Sequence, residues 1–175
     1  MDQQLHKRIE FAANVAIIAV ALLLSVVLVK RFIGNSTPPG AGAALNTIKA
    51  GEKISLPNTD WSQSDRHLVL VLQKGCHFCA ESAPFYQRLI QAVGQRSDVQ
   101  LIAALPQAVG ESRQYLDGMG VAVGEVRQAD PSSFGVRGTP TLLLVDRTGT
   151  VTEVWIGKLP PEKEQEVFSR LQLKS

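Results

Sequence analysis

Residues 67–79 read His67-Leu68-Val69-Leu70-Val71-Leu72-Gln73-Lys74-Gly75-Cys76-His77-Phe78-Cys79. The first seven form a short run that is apolar between its ends, consistent with a strand buried on both faces. Lys74-Gly75 breaks the run, and a helical segment is expected from about Phe78 to Val93. Two cysteines therefore fall three positions apart, at the point where a strand hands over to a helix.

That placement has chemical consequences. Free N–H groups and the macrodipole at a helix start favour a thiolate, and Lys74 and His77 add positive charge nearby. Residues i and i+3 lie one helical turn apart, so the two sulfurs can reach disulfide distance. In a redox reading Cys76, the more exposed, attacks a substrate disulfide, and Cys79 resolves the mixed disulfide from behind. The alternative is a buried structural pair that is spaced this way by coincidence. The chain has only two cysteines. It therefore lacks the four needed for a disulfide framework or for a zinc site built on cysteine pairs. Ala80 follows Cys79, where haem attachment needs histidine.

C-terminal to the motif, Val99–Leu105 reads as a second buried strand and Gly110–Gly118 as a short helix stopped by glycine. Val126–Ala129 is a strand candidate. Leu142–Val145 and Val151–Ile156 flank Asp146-Arg147-Thr148-Gly149, the turn of a hairpin. Pro161–Leu173 forms a closing helix with proline in its first turn. Strands alternate with helices and end on an antiparallel hairpin, which predicts a mixed sheet with helices on both faces. Trp61 and Trp155 read as packing residues, and His67 as the residue that opens its strand.

The segment Ser133-Phe134-Gly135-Val136-Arg137-Gly138-Thr139-Pro140-Thr141-Leu142-Leu143-Leu144-Val145-Asp146 closely resembles the active-site-facing loop and strand of thioredoxin-fold proteins. Pro84, eight positions after Cys76, matches the helix-kinking proline of that family, and Gly157 fits its pattern after the last strand. The resemblance covers most of residues 68–173. It implies a thioredoxin-like α/β fold, a cis Pro140 packed against the cysteine pair, and a substrate-facing Thr139. Within the superfamily the chain is most similar to the membrane-anchored TlpA/ResA-like branch. An N-terminal anchor and linker, the long stretch from Val99 to Ala129, and the Val145-Asp146-x-x-Gly149 hairpin all point there. The chain departs from thioredoxins in three places. Gly75 replaces a tryptophan before the first cysteine, and Leu70 replaces a buried acid that helps the resolving cysteine deprotonate. The dipeptide His77-Phe78 is not the one typical of the branch.

N-terminal to all this, Phe11–Val29 carries no charge, and at about 1.5 Å per residue it is long enough for a hydrocarbon core of about 30 Å. It exceeds a signal-peptide h-region, and Lys30-Arg31 close it at once. The expected organisation is a tail over 1–10, a transmembrane anchor over 11–31, a Gly/Pro-rich linker over 32–46 and a thioredoxin-like domain over 47–175. Lys7-Arg8 and Lys30-Arg31 balance, so positive-inside counting alone does not orient the anchor. The chain has a net charge of +2 and no basic cluster interleaved with aromatics, which gives no support for a nucleic-acid partner.

The expected function is thiol–disulfide exchange with extracytoplasmic protein substrates, and with a membrane redox partner, at the outer face of a bacterial cytoplasmic membrane. Such exchange needs no cofactor and no metal beyond Cys76 and Cys79. His77, Phe78, Thr139 and Pro140 are the redox-tuning or substrate-facing candidates. His77 either stabilises the Cys76 thiolate as an imidazolium or pairs with Glu81 at i,i+4. Two alternatives share the fold. A thiol peroxidase usually has threonine three positions before its cysteine, where this chain has Gln73. A copper chaperone usually separates its cysteines by three residues and uses a distant histidine. The direction, reductase or oxidase, is open in the sequence.

Overall fold

Strand β1 (Arg66–Val71) is buried from His67 onward and occupies the middle of the sheet. The computed structural model that shows this describes residues 47–94 and 96–172. The expected tail, anchor and linker lie outside the described residues, among which no helix is long and apolar enough to cross a membrane. On one side β1 pairs in parallel with β2 (Val99–Leu105), which pairs in parallel with β3 (Glu125–Gln128). On the other side it pairs antiparallel with β4 (Thr141–Asp146), which forms a hairpin with β5 (Val151–Ile156). The five-stranded order β3-β2-β1-β4-β5 is the mixed sheet expected from the sequence.

The period-2 alternation of a strand divides β1 between two cores. Leu68 and Leu70 face one cluster, and Val69 and Val71 the other. The four α-helices are α1 (His77–Glu81), α2 (Ala83–Val93), α3 (Val109–Gly118) and α4 (Pro161–Arg170). Their buried apolar residues, including Phe85 and Leu89 of α2, Leu116 of α3 and Val167 and Phe168 of α4, all enter the first cluster. The second is closed by Ile48, Ile54 and Leu56 from the entering segment, and by Trp61 and Phe134 from two 3-10 turns, Trp61–Gln63 and Pro131–Phe134. Helices on both faces were expected, yet the second face carries only these short turns. The turn at Pro131 stops after four residues because Gly135 takes a left-handed conformation, φ 80°.

The helix expected over Phe78–Val93 is two helices. Proline at 84 has no N–H for the Ala80 carbonyl, and its ring crowds the preceding turn, so the path changes at Ser82. Ser82 itself accommodates the break by donating its Oγ hydroxyl to the Phe78 carbonyl at 2.8 Å. The hairpin turn is fixed by Asp146, whose Oδ1 accepts from the Thr148 and Thr150 amides. Its Gly149 has φ 78°, and a Cβ there would lie 2.8 Å from Cδ1 of Trp61. Trp155 is buried as expected, and its indole N–H donates to Glu166.

His67 does more than open a strand. It is fully buried, and the Trp61 ring meets its imidazole edge-on at 5.1 Å between centroids. Neither ring nitrogen has a hydrogen-bond partner. The Gln100 side chain, opposite it on β2, favours the protonated ring.

Candidate active site

The end of β1 and the start of α1 set the cysteine pair. The Cys76 amide donates back to the Gln73 carbonyl at 3.2 Å, closing the turn through Gly75, whose φ of 80° suits glycine. Cys76 is the N-cap of α1, and its Sγ accepts the Cys79 amide N–H at 3.1 Å. With five residues α1 has a small macrodipole, so this direct N–H bond is the main backbone contribution to a thiolate at Cys76. Cys76 and Cys79 are disulfide-bonded, with Cα atoms 5.2 Å apart. Cys76 is half-buried, whereas Cys79 is completely buried in the helix-covered core. The two sulfurs therefore differ in access in the order expected of an attacking and a resolving cysteine.

Across from the pair lies the loop that enters β4. The Thr139–Pro140 peptide bond is cis, and the Thr139 carbonyl oxygen is 3.4 Å from Cys76 Sγ. Two bonds hold this loop. The Gly157 amide donates to the Pro140 carbonyl at 2.7 Å, and the Thr141 hydroxyl donates to the Gly138 carbonyl at 2.7 Å. Cys76, Cys79, Thr139 and Pro140, which are separated by sixty residues of sequence, thus form one site.

His77 and Phe78 point outward. The His77 side chain is 77% exposed, and its Nε2 lies 3.1 Å from Glu81 Oε1. Lys158 donates to the other Glu81 oxygen at 2.9 Å. This lysine, with a smaller contribution from His77, holds the Glu81 carboxyl below its ordinary range. Lys74, which the sequence reads as positive charge near the thiol, is paired with Glu111 at 2.6 Å. Phe78 is 55% exposed beside the disulfide.

Leu70 is buried in the same cluster as Cys79, so an aliphatic side chain stands where thioredoxins hold an acid. Among the described residues no three of His, Cys, Asp and Glu gather where they could hold a metal ion. The structure also brings Ile156 and Arg137 to the rim of the cis-proline loop. Neither residue stands out in the sequence as part of a site, because nothing in the β5 pattern shows that Ile156 ends on an open surface.

No protein-family model matches the chain, and no curated protein sequence matches it. Solved structures do. A putative thiol:disulfide interchange protein DsbE from Chlorobium tepidum superimposes with a TM-score of 0.54 at 20% identity, covering 74% of this chain and 97% of that one. A putative thioredoxin from Neisseria meningitidis gives 0.52 at 20% identity, over 70% of this chain and 89% of that one. PrxQ from Xylella fastidiosa, in a mutant form, gives 0.51 at 11% identity, over 71% and 96%. The described domain therefore has a thioredoxin-like fold, as the loop at Thr139-Pro140 led us to expect.

Proposed function

We propose that the chain is a thiol–disulfide oxidoreductase that exchanges disulfides with protein clients through Cys76 and Cys79. The observation that carries this reading is the asymmetric disulfide: Cys76 is reachable and receives an N–H bond, Cys79 is buried behind it, and the cis Thr139–Pro140 loop lies against the reachable sulfur.

In the reducing direction the Cys76 thiolate attacks one sulfur of a client disulfide. A Cys76–client disulfide forms, and the other client sulfur leaves as a thiolate and takes a proton. The Cys79 thiolate then attacks Cys76 Sγ, which restores the Cys76–Cys79 disulfide and frees the second client thiol. Two electrons pass from the pair to the client, and the same steps reversed oxidise a client dithiol. The client backbone lies along Thr139-Pro140, with Phe78 alongside. Leu70 leaves Cys79 without the buried acid found in thioredoxins, so its deprotonation depends on solvent or on the incoming client.

The uncharged run Phe11–Val29 supports a membrane tether, with the domain on the outer side of a bacterial cytoplasmic membrane. A tethered redox domain is most useful where disulfides persist, and cytosolic thiols are already kept reduced. The likeness to PrxQ keeps thiol peroxidase as the second reading.

Both readings meet in one experiment. The purified chain is equilibrated in glutathione redox buffers, and then the reduced chain is presented with insulin and, separately, with hydrogen peroxide. Exchange predicts reversible two-electron titration of the pair and catalysed insulin reduction. Rapid turnover of peroxide with no insulin reduction would contradict it.

A further inference from the structure

Beside the cis-proline loop is a cavity of about 260 Å³, lined by Thr47, Ile48, Val136, Arg137, Gly138, Thr141 and Ile156. Small-molecule sites run to roughly 300–1,000 Å³, so this one falls just below that range and has ample room for an aliphatic side chain. Its wall is mainly apolar, and Ile156 on its lining is 56% exposed. The cavity belongs to the same structural unit as the redox pair. Thr141 pairs with Ile156 across β4 and β5, and Gly138 leads directly to Thr139, whose carbonyl oxygen is 3.4 Å from Cys76 Sγ. Arg137 is two residues from Thr139, so their Cα atoms are at most about 7 Å apart.

The charges around this rim are matched except at Arg137 and at Lys49, which follows the cavity-lining Ile48. Glu81 is held by Lys158 and His77, Lys74 is paired with Glu111, and Glu153 is paired with Arg170. Arg137 is exposed, and among the described residues no hydrogen bond or ion pair engages its guanidinium. An exposed arginine is ordinarily solvated and no more. This one stands at the mouth of an apolar cavity, within two residues of the backbone that faces the reactive sulfur, and Lys49 adds a second unpaired cation to the same rim. A planar guanidinium recognises a carboxylate by paired N–H bonds.

We propose that this rim selects clients: the segment exchanged at Cys76 places an aliphatic side chain in the cavity and an aspartate or glutamate against Arg137. The selection rests on the exchange reaction proposed above and adds a substrate class to it. The geometry asks for both residues close to the client cysteine, because both subsites lie close to Cys76.

The test uses the reduced full chain and peptides closed by an intrachain disulfide, with leucine beside one cysteine and aspartate, asparagine or lysine next to it. Oxidation of the Cys76–Cys79 pair is followed, and each rate is taken relative to that with bis(2-hydroxyethyl) disulfide, an uncharged small linear disulfide. The expected order is aspartate over asparagine over lysine, by roughly two- to fivefold at each step, the range of exposed ion pairs. The spread should collapse in 1 M salt, where the Debye length is about 3 Å. Arg137→Gln should flatten the order and Arg137→Glu reverse it, and Ile156→Ala should slow the leucine peptides relative to glycine versions. Equal rates across the three wild-type peptides, or an order unchanged by Arg137→Glu, would overturn the selection while leaving the exchange reaction standing. Failure with bis(2-hydroxyethyl) disulfide itself would overturn the exchange reaction, and the selection with it.

Discussion

Replacing His67 with leucine is expected to make the protein more stable, and increasingly so as the pH falls. The neutral imidazole carries one donor and one acceptor, and here both are buried without a partner. An unsatisfied buried polar group costs about 1–3 kcal/mol. Against relief of two such costs stand the lost edge-on contact with Trp61, worth about 0.5–1.5 kcal/mol, and a packing misfit of less than about 1.5 kcal/mol. Mid-range values leave a net gain of about 2 kcal/mol at pH 7.5. The pH dependence follows from linkage. Burial is the main cause that holds the His67 pKa below its ordinary 6.5, opposed by Gln100, Asp60 and Asp146. As pH falls through 6.5 the unfolded chain takes up the proton while the folded chain does not. Stability is therefore full above that pH and declines below it, by at most about 1.4 kcal/mol per pH unit for one proton. The decline ends once the folded-state ring itself titrates. Urea titrations of the oxidised protein at pH 7.5 and 5.5, followed by tryptophan fluorescence, measure both effects, and the difference between wild type and His67→Leu cancels His77. Refutation would be a variant less stable than wild type at both pH values, with the same pH dependence. That result would mean the ring nitrogens are satisfied in solution.

Other expectations concern the site and the tether. His77 is exposed and turned to Glu81, so His77→Ala should move the Cys76–Cys79 potential toward the reducing side by less than about 30 mV, as read by glutathione equilibrium; a larger shift, or one in the other direction, would mean that the imidazole sits over the sulfur. Glu81→Gln removes the anion of the same group and should make the couple more oxidising, and an unchanged potential would show that α1 surface charge does not reach Cys76. The full chain should sediment with membranes after a high-salt wash and keep Met1–Arg31 by intact mass; cleavage between Val29 and Leu45 would leave a soluble exported domain.

Much of this architecture was legible in the sequence because its signals are local. An apolar run bounded by Lys74-Gly75 marked β1, the turn residues Asp146 to Gly149 marked the hairpin, and the cysteine spacing marked the redox pair. The loop at Thr139-Pro140 was legible through resemblance rather than through physics, since no periodicity in the chain announces a cis peptide bond. What stayed hidden depends on distant partners. Glu111 pairs with Lys74, Trp61 covers His67, and Ile48 with Ile156 shapes a cavity out of segments a hundred residues apart. The break at Ser82 was half visible, because Pro84 signalled a kink but not that α1 would be a separate helix of five residues.

The account rests on Cys76 as the attacking sulfur and Cys79 as the resolving one. The measurement that bears on it most directly is trapping with the Cys79→Ser variant. The variant is reduced, mixed with a disulfide-bonded client peptide, quenched with acid and mapped by mass spectrometry. We expect a one-to-one mixed disulfide on Cys76 that persists, whereas wild type passes through it to the internal disulfide and Cys76→Ser forms no adduct. A persistent adduct on Cys79 in Cys76→Ser, or normal turnover by Cys79→Ser, would contradict the account.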